Sequence, residues 1–451
     1  MSVHAIQHYS SNYKENPIRT SIVVILLLGL GISIVCNLFV LSYAQKEQQI
    51  NLTGFFVDPE DRWKSLMPSA LDELRTRHPN LNIQMNYTVF PYNDARTQML
   101  KYMANGTSID LISLDQIWLG EFANNSYILD ITNRTTSWGG LSDWYQANLD
   151  GNMYNGKVYG IWAWTDIRSI WYWKDLLNQT GVDPKSLETW DGYIQSARKL
   201  STLEQKKISG IELVGGPGSQ NEWYPFLWML GGDILEYKPG HPTKGVYWFP
   251  AYNSTEGVKA LHFFRQLVDA DVKPITINFE KEFADKKYAA MLGGSWLPGY
   301  FPNLTKQDFE DRIGMIPMFP VPTEGTPSAS IMGGWILSIP ETSRHKELAW
   351  ELITIMLKPE ILSPMLAKYG YLPTQISIGD GPYSETLRNS IPYYDELINL
   401  IPFGHGRPNI PEYPQIADDI RQAIDDVYAG KKTPKEALNS AAKKSAIYLG
   451  W

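Results

Sequence analysis

Two hydrophobic rhythms alternate along this chain. Ile50 to Val57 reads as a strand. From Arg62 to Arg77, the positions Trp63, Leu66, Met67, Ala70, Leu71 and Leu74 recur at steps of three and one, which predicts an amphipathic helix that His78-Pro79 ends. Leu81, Ile83, Met85 and Tyr87 then alternate with polar residues, as in a half-buried strand. Asp94 to Met103 reads as a helix stopped by Asn105-Gly106, and Ile109 to Leu114 as a short strand ending in Asp115-Gln116. Strands alternating with helices predict an α/β domain with a largely parallel sheet. Ligands of such sheets bind beyond the carboxyl ends of the strands, where Asp115 and Gln116 fall.

Further on, Asn155-Gly156 is a hairpin-turn signal, because both residues tolerate positive φ. Val158, Tyr159, Ile161, Trp162 and Trp164 follow, Asp166 and Arg168 interrupt the aromatics, and Ile170 to Trp173 makes a second β-rich run. The stretch reads as a strand pair carrying Trp162, Trp164, Asp166 and Arg168. Flat rings cover the apolar faces of a sugar, and charged planar groups bond its hydroxyls bidentately. The same residues also describe a buried aromatic sheet with an internal Asp166–Arg168 salt bridge, and at this stage both descriptions stand.

Thr189 caps a helix that runs to Leu200, and Ile208 to Val214 reads as a strand. Gly215 to Gly218 forms a loop before the helix opened by Gln220-Asn221-Glu222-Trp223, but no Lys-Ser/Thr follows, which excludes a P-loop. Tyr252 to Asp269 and Lys346 to Leu357 are helical, and so are Ile416–Tyr428 and Pro434–Ile447. Ile313 to Pro317 and Ile331 to Ile339 are strands, and Gly333-Gly334 within the second marks a close approach by backbone or ligand.

Composition narrows the classes. With 451 residues, 43% hydrophobic and 20% charged, the chain is globular and long enough for two domains. A net charge of −8 argues against nucleic acid as a partner. Cys36 is the single cysteine, so no intrachain disulfide forms, and the seven histidines show no metal-binding spacing; no metal or cofactor is expected. Residues 22–41 are uncharged and follow basic residues, which suits a membrane-spanning anchor with the remainder outside the cell. Ser42-Tyr43-Ala44 also fits a signal-peptide cleavage site, making the protein secreted if cut after Ala44. Asn-x-Ser/Thr sequons at Asn51, Asn86, Asn105, Asn124, Asn133, Asn178, Asn253 and Asn303 all lie beyond that segment and suit a glycosylated outer-face protein.

Several motifs, in order, carry a resemblance. Asn155-Gly156-Lys157…Tyr159-Gly160-Ile161 with Asp166, Arg168 and Lys174-Asp175-Leu176 resembles the first interdomain crossover of the extracellular solute-binding proteins of ABC transporters, in the sugar-binding family that includes maltose-binding protein. Trp162 stands where proline is common there, and Trp173 where asparagine is. Thr189-Trp190-Asp191…Ala197-Arg198-Lys199-Leu200, Phe283 to Trp296, Tyr369 to Thr374 and Lys432 to Leu438 match further family motifs over nearly all of 50–450. The resemblance implies a two-lobe periplasmic-binding-protein-like α/β fold of type II, with the ligand in the cleft and the N-terminal helix preceding it. One lobe would comprise 45–165 with 297–350, the other 166–296 with 351–451. It implies a pocket of Asp115, Gln116, Trp164, Asp166, Arg168, Gln220, Asn221, Trp223, Trp296, Gly333, Gly334, Trp335 and Arg407, with Trp296 on a position that stacks on sugar. The expected protein is a non-enzymatic monomer that delivers a di- or oligosaccharide to ABC permease subunits. Two rivals remain at this stage. The same fold binds other solutes (a glycerophosphodiester, a polyamine or a peptide), and a glycoside hydrolase would draw its carboxylate pair from Asp115, Asp166 and Glu222.

Overall fold

β1 (Gln48–Val57), α1 (Glu60–Arg77), β2 (Leu81–Phe90), α2 (Tyr92–Ala104), β3 (Leu111–Asp115) and α3 (Leu119–Asn124) open the chain in a computed structural model that describes residues 48–206, 208–275 and 279–451. The expected N-terminal anchor, Cys36 and the Ala44 cleavage site lie outside the described residues. Among the described residues no helix is long and apolar enough to cross a membrane. These residues fall into two units. One holds Gln48–Ile50 and His78–Asn82, where the Gln48 amide donates to the Asn80 carbonyl at 3.3 Å. The other, Asn51–Arg77 with Ile83–Trp451, contains every residue of the candidate site.

The α1 stripe behaves as its spacing predicts: Trp63, Leu66, Met67, Ala70, Leu71 and Leu74 are all buried. β1 pairs with β3 in parallel. The remaining main elements are the hairpin β4 (Met153–Tyr154) and β5 (Lys157–Val158), then β6 (Ile161–Trp173), α4 (Trp190–Leu200), β7 (Ser209–Ile211) and α5 (Ser219–Trp228). A second hairpin, β8 (Leu235–His241) and β9 (Gly245–Pro250), precedes α6 (Thr255–Asp269), α7 (Phe279–Ala284), β10 (Tyr288–Gly294), β11 (Ile313–Ile316) and β12 (Ser330–Ser338). The chain closes with α8 (Lys346–Met356), α9 (Pro359–Tyr369), β13 (Leu372–Pro373), β14 (Gly404–His405), α10 (Tyr413–Tyr428) and α11 (Pro434–Tyr448). Helices α8 and α9 pack on α1, whereas α10 packs on α5, α6 and α11.

One sheet runs in the order β2-β1-β3-β12-β6-β10-β7. Its pivot is β6, and here the structure corrects the sequence reading. Ile161 to Trp173 is not a strand pair but one strand of 13 residues. No Gly, Pro or Asn lies within it to turn the chain, and its charged side chains are spaced by two, so both project to one face. Its first part pairs with β12 as far as Ile167↔Met332, and the partner then changes to β10, from Arg168↔Gly294. Asp166 and Arg168 straddle that change of partner. On the other edge, β13 pairs with Trp164 and Thr165, and β11 with Ile170 to Trp173.

The glycines of β12 admit protein rather than ligand. Gly334 has φ 153°, and a Cβ there would lie 1.9 Å from Trp162 Nε1 and 2.4 Å from the Trp164 carbonyl oxygen. At Gly333 it would lie 2.8 Å from an Asp166 carboxylate oxygen. Gly334→Ala is expected to lower stability by about 2–3 kcal/mol, through overpacking and backbone strain. Gly299→Ala, where the nearest atom is 3.7 Å away, should change it by less than about 0.5 kcal/mol. Urea unfolding of the two variants checks this, and equal midpoints would refute the packing role.

Candidate functional site

Three strands of the first half deliver side chains to one place. Asp58 follows β1, Tyr92 follows β2, and Asp115 ends β3. Asp115 collects three donors: Tyr92 Oη at 2.7 Å, Arg407 Nη2 at 3.0 Å and the Ile117 amide at 3.3 Å. Asp115 and Arg407 are 6% and 7% exposed, so this charge-assisted pair sits largely out of water. Burial by itself would lower the basicity of Arg407, but Asp115, with Tyr413, Tyr92 and Asp166 adding to its effect, outweighs it and the guanidinium is held above its ordinary value. Arg407 Nη1 also reaches Asn221 Oδ1 at 3.5 Å, and Gln116 Nε2 donates to the Arg407 carbonyl at 3.3 Å. Four of the sequence-predicted residues, Asp115, Gln116, Asn221 and Arg407, are thus joined by hydrogen bonds. The next turn of chain adds a clasp: Asn409 Oδ1 accepts from the Gly120 amide at 2.6 Å, and its Nδ2 donates to the Met153 carbonyl at 2.8 Å.

A second group assembles at the change of partner in β6. Asp166 and Arg168 do not pair with each other; Arg168 Nη1 bonds to the buried Glu222. The Arg168 guanidinium lies 5.5 Å from the Trp296 ring centroid, a cation–π contact. Trp296, just beyond the end of β10, is half-buried and donates its Nε1–H to Glu280 Oε1 at 3.0 Å. Asp166 lies against Gly333 with its carboxyl pushed up to about 6: burial raises it, and Arg168 and Arg407 oppose.

Other predicted residues have different surroundings. Trp164 and Trp223 are completely buried. Trp164 packs between Trp63, at 5.5 Å, and Tyr371, at 6.0 Å. Trp335 is half-buried and meets Tyr92 edge-on at 6.2 Å. Gln220 opens the α5 region with a buried Oε1 that has no protein partner. Gly334 serves Trp162, as described above.

Several residues here escaped the sequence reading. Arg62 is buried with its guanidinium 4.9 Å from the Trp335 ring and 5.1 Å from that of Tyr371, and it donates to the Asp58 carbonyl. Tyr92 is 39% exposed and was visible only as the residue following a strand. Burial, with the Glu280 charge next, raises the Tyr300 phenol, which stands at the same place. Glu212, on the strand-like stretch after β7, lines a cavity of about 10 Å³ with Glu222 and Tyr193. One oxygen of each of these three side chains lacks a protein partner. That volume is at the lower limit for one water.

These elements correspond to known proteins. A model of the bacterial extracellular solute-binding proteins matches residues 70–386. The chain belongs to that family. The solute-binding protein shares its two-lobe α/β fold with a Thermotoga lettingae ABC transporter solute-binding protein bound to α-D-tagatose, at TM-score 0.76, 24% identity and coverage of 89% of this chain and 100% of that one. Maltose-bound T. maritima MalE3 gives TM-score 0.74, 23% identity and coverage of 88% and 100%. The arabinooligosaccharide-binding protein of Bacillus subtilis is 22% identical over 391 residues, 82% of this chain and 86% of that one. The sn-glycerol-3-phosphate-binding periplasmic protein of Pectobacterium atrosepticum is 28% identical, but only over 150 residues, 31% of this chain and 33% of that protein.

The buried carboxyls make stability depend on pH. Burial pushes Glu222 up to about 7, with Arg168 opposing, and raises Glu212 well above its ordinary value, with the Glu222 charge adding to the rise. Unfolded glutamates titrate near pH 4.3. The folded state therefore holds extra protons between about pH 4.3 and 7, and the stability this contributes is full below that window and lost as pH rises through it. The stability difference between wild type and Glu212→Gln should therefore fall from pH 5 to 7, by up to about 1.4 kcal/mol per pH unit. Urea unfolding across that range measures it; a constant difference would refute the assignment. Arg407→Ala should cost about 3–5 kcal/mol by stranding Asp115, and Arg407→Met with Asp115→Asn should recover most of it in the same assay.

Proposed function

We propose that this solute-binding protein captures a carbohydrate, a di- or oligosaccharide, by closure of its lobes and delivers it to the permease of an ABC importer. The observation that carries this is the Trp296 ring, half-exposed and oriented by its bond to Glu280, with the Arg168 guanidinium 5.5 Å from its centroid and Asp166 on the strand face that bears Arg168. A ring face beside several planar hydrogen-bonding groups suits a polyhydroxylated ring. Relatives and fold neighbours bound to or named for maltose, tagatose and arabinooligosaccharide support it. The residues that would touch the ligand are Asp115, Gln116, Asp166, Arg168, Gln220, Asn221, Trp296, Trp335 and Arg407, joined by Tyr92 and Glu280; Trp164 and Trp223 would back the wall.

The lobes would divide as the sequence implies, with α8 and α9 assigned to the first because they pack on α1. In this reading the protein works outside the cell as a monomer, held by its N-terminal segment, and binds without turnover. Seven of the eight sequon asparagines are exposed; the eighth, Asn253, is half-buried and bonded to Asn439 at 2.7 Å. That exposure supports glycosylation.

A glycerophosphodiester is the second reading, favoured by the partial match to the glycerol-3-phosphate-binding protein. Against it, Arg407 and Arg168 are already paired with carboxylates. A thermal-shift screen of mono-, di- and oligosaccharides, polyamines and glycerophosphodiesters separates the readings. One sugar class at 100 times its dissociation constant should stabilise the fold by about 2.7 kcal/mol, and Trp296→Ala should abolish the shift. A shift with glycerophosphodiesters alone would overturn the carbohydrate reading.

A further inference from the structure

The charges around this site do not balance. Five carboxyl groups, each less than a tenth exposed, gather here: Asp115, Asp166, Glu212, Glu222 and Glu280; burial favours the protonated form of Glu212, which leaves four to carry charge. Three guanidinium groups stand against them. Arg407 is committed to Asp115 and Arg168 to Glu222. Arg62 is 1% exposed, closed in by aromatic rings and bonded to a backbone carbonyl. Among the described residues Asp166 and Glu280 are left without an ion-pair partner, and Trp296 links them: its Nε1–H bonds to Glu280 at 3.0 Å, and its ring lies 5.5 Å from the guanidinium of Arg168, two residues from Asp166 on the same strand face. Buried side-chain atoms here without a protein partner include acceptors, Glu222 Oε2, Gln116 Oε1 and Gln220 Oε1, and the Nε donors of Arg62, Arg168 and Arg407.

Sugar hydroxyls bond to carboxylates but bring no charge, and a buried carboxylate without a counter-charge is costly. A phosphate would add to the excess. A metal ion would supply charge, but among the described residues no three carboxylate, histidine or cysteine side chains converge to hold one. An ammonium group meets the requirement: its N–H groups donate to carboxylates, and an indole face such as that of Trp296 attracts it.

We propose that the ligand carries a protonated amine, seated against Asp166 and Glu280 beside the Trp296 ring. The inference rests on the carbohydrate reading and narrows it to an amino sugar or an amine-bearing saccharide.

The test uses the full-length chain in detergent at pH 7 and calorimetric titration with matched sets: glucose, glucosamine and glucose 6-phosphate, the corresponding trios built on maltose and cellobiose, and putrescine as an amine without a sugar. The amino form should bind at least tenfold more tightly than its neutral counterpart in one set. Glu280→Gln and Asp166→Asn should each lower amine affinity at least tenfold more than neutral-sugar affinity; a purely structural role would lower both alike. Neutral sugars binding as tightly as their amines would overturn this inference and leave the carbohydrate reading standing. Putrescine binding with no sugar bound would uphold the amine and overturn the sugar. Tightest binding of a phosphate, or no binding in any set, would count against both.

Discussion

Both halves of the sheet hang on one strand. β6 is a shared ladder partner, held by β12 up to Ile167 and by β10 from Arg168 onward. Its hydrogen bonds fix Asp166 in the register of one half and Arg168 in that of the other. The two charges are neighbours in sequence and on one strand face, yet the Arg168 guanidinium goes to Glu222 rather than to Asp166. That choice leaves Asp166 without an ion-pair partner among the described residues. A substitution that broke the register of β6 would displace Asp166 and Arg168 in both halves at once, because a shift of one residue turns every side chain to the opposite face.

Much of the fold was legible because it rests on local periodicity. The stripe from Trp63 to Leu74 reads as a helix on spacing alone, and the cap Thr189 accepts the amide expected of it. Asn155 and Gly156 both have positive φ, at 48° and 74°, as the turn signal required. The continuity of β6 was not legible, since Asp166 and Arg168 resemble a polar interruption. Nothing local shows that the Arg168 side chain within the strand meets Glu222 and Trp296 from two other segments. The β8–β9 hairpin also went unseen: Pro239 and Gly240 lie inside it, and exposed Tyr237 and Val246 blur the alternation.

The site was legible in part and for a different reason. Asp115 was singled out by the rule that ligands gather at strand ends, and the same rule, applied to β1 and β2, points to Asp58 and Tyr92, the second of which bonds to it. Arg62 could not be found so, because an arginine beside an apolar stripe ordinarily marks the solvent edge of a helix; here aromatic rings from three other segments enclose it. Trp164 and Trp223 show the converse error. Tryptophan near a binding motif suggests a stacking surface, but both rings pack in the core. Glu212 did not stand out because its raised protonation depends on burial and on Glu222 nearby.

Asn409 has a consequence at the scale of a single atom. Its amide joins the backbone of Gly120 to that of Met153, and Gly120 has to be glycine, since a Cβ there would lie 2.7 Å from the Asn409 carbonyl oxygen. The Gly120 N–H is therefore sheltered by a side chain from the segment that also carries Arg407. Any motion that lifts this segment exposes that one hydrogen to solvent, so its exchange rate records how often the clasp is open.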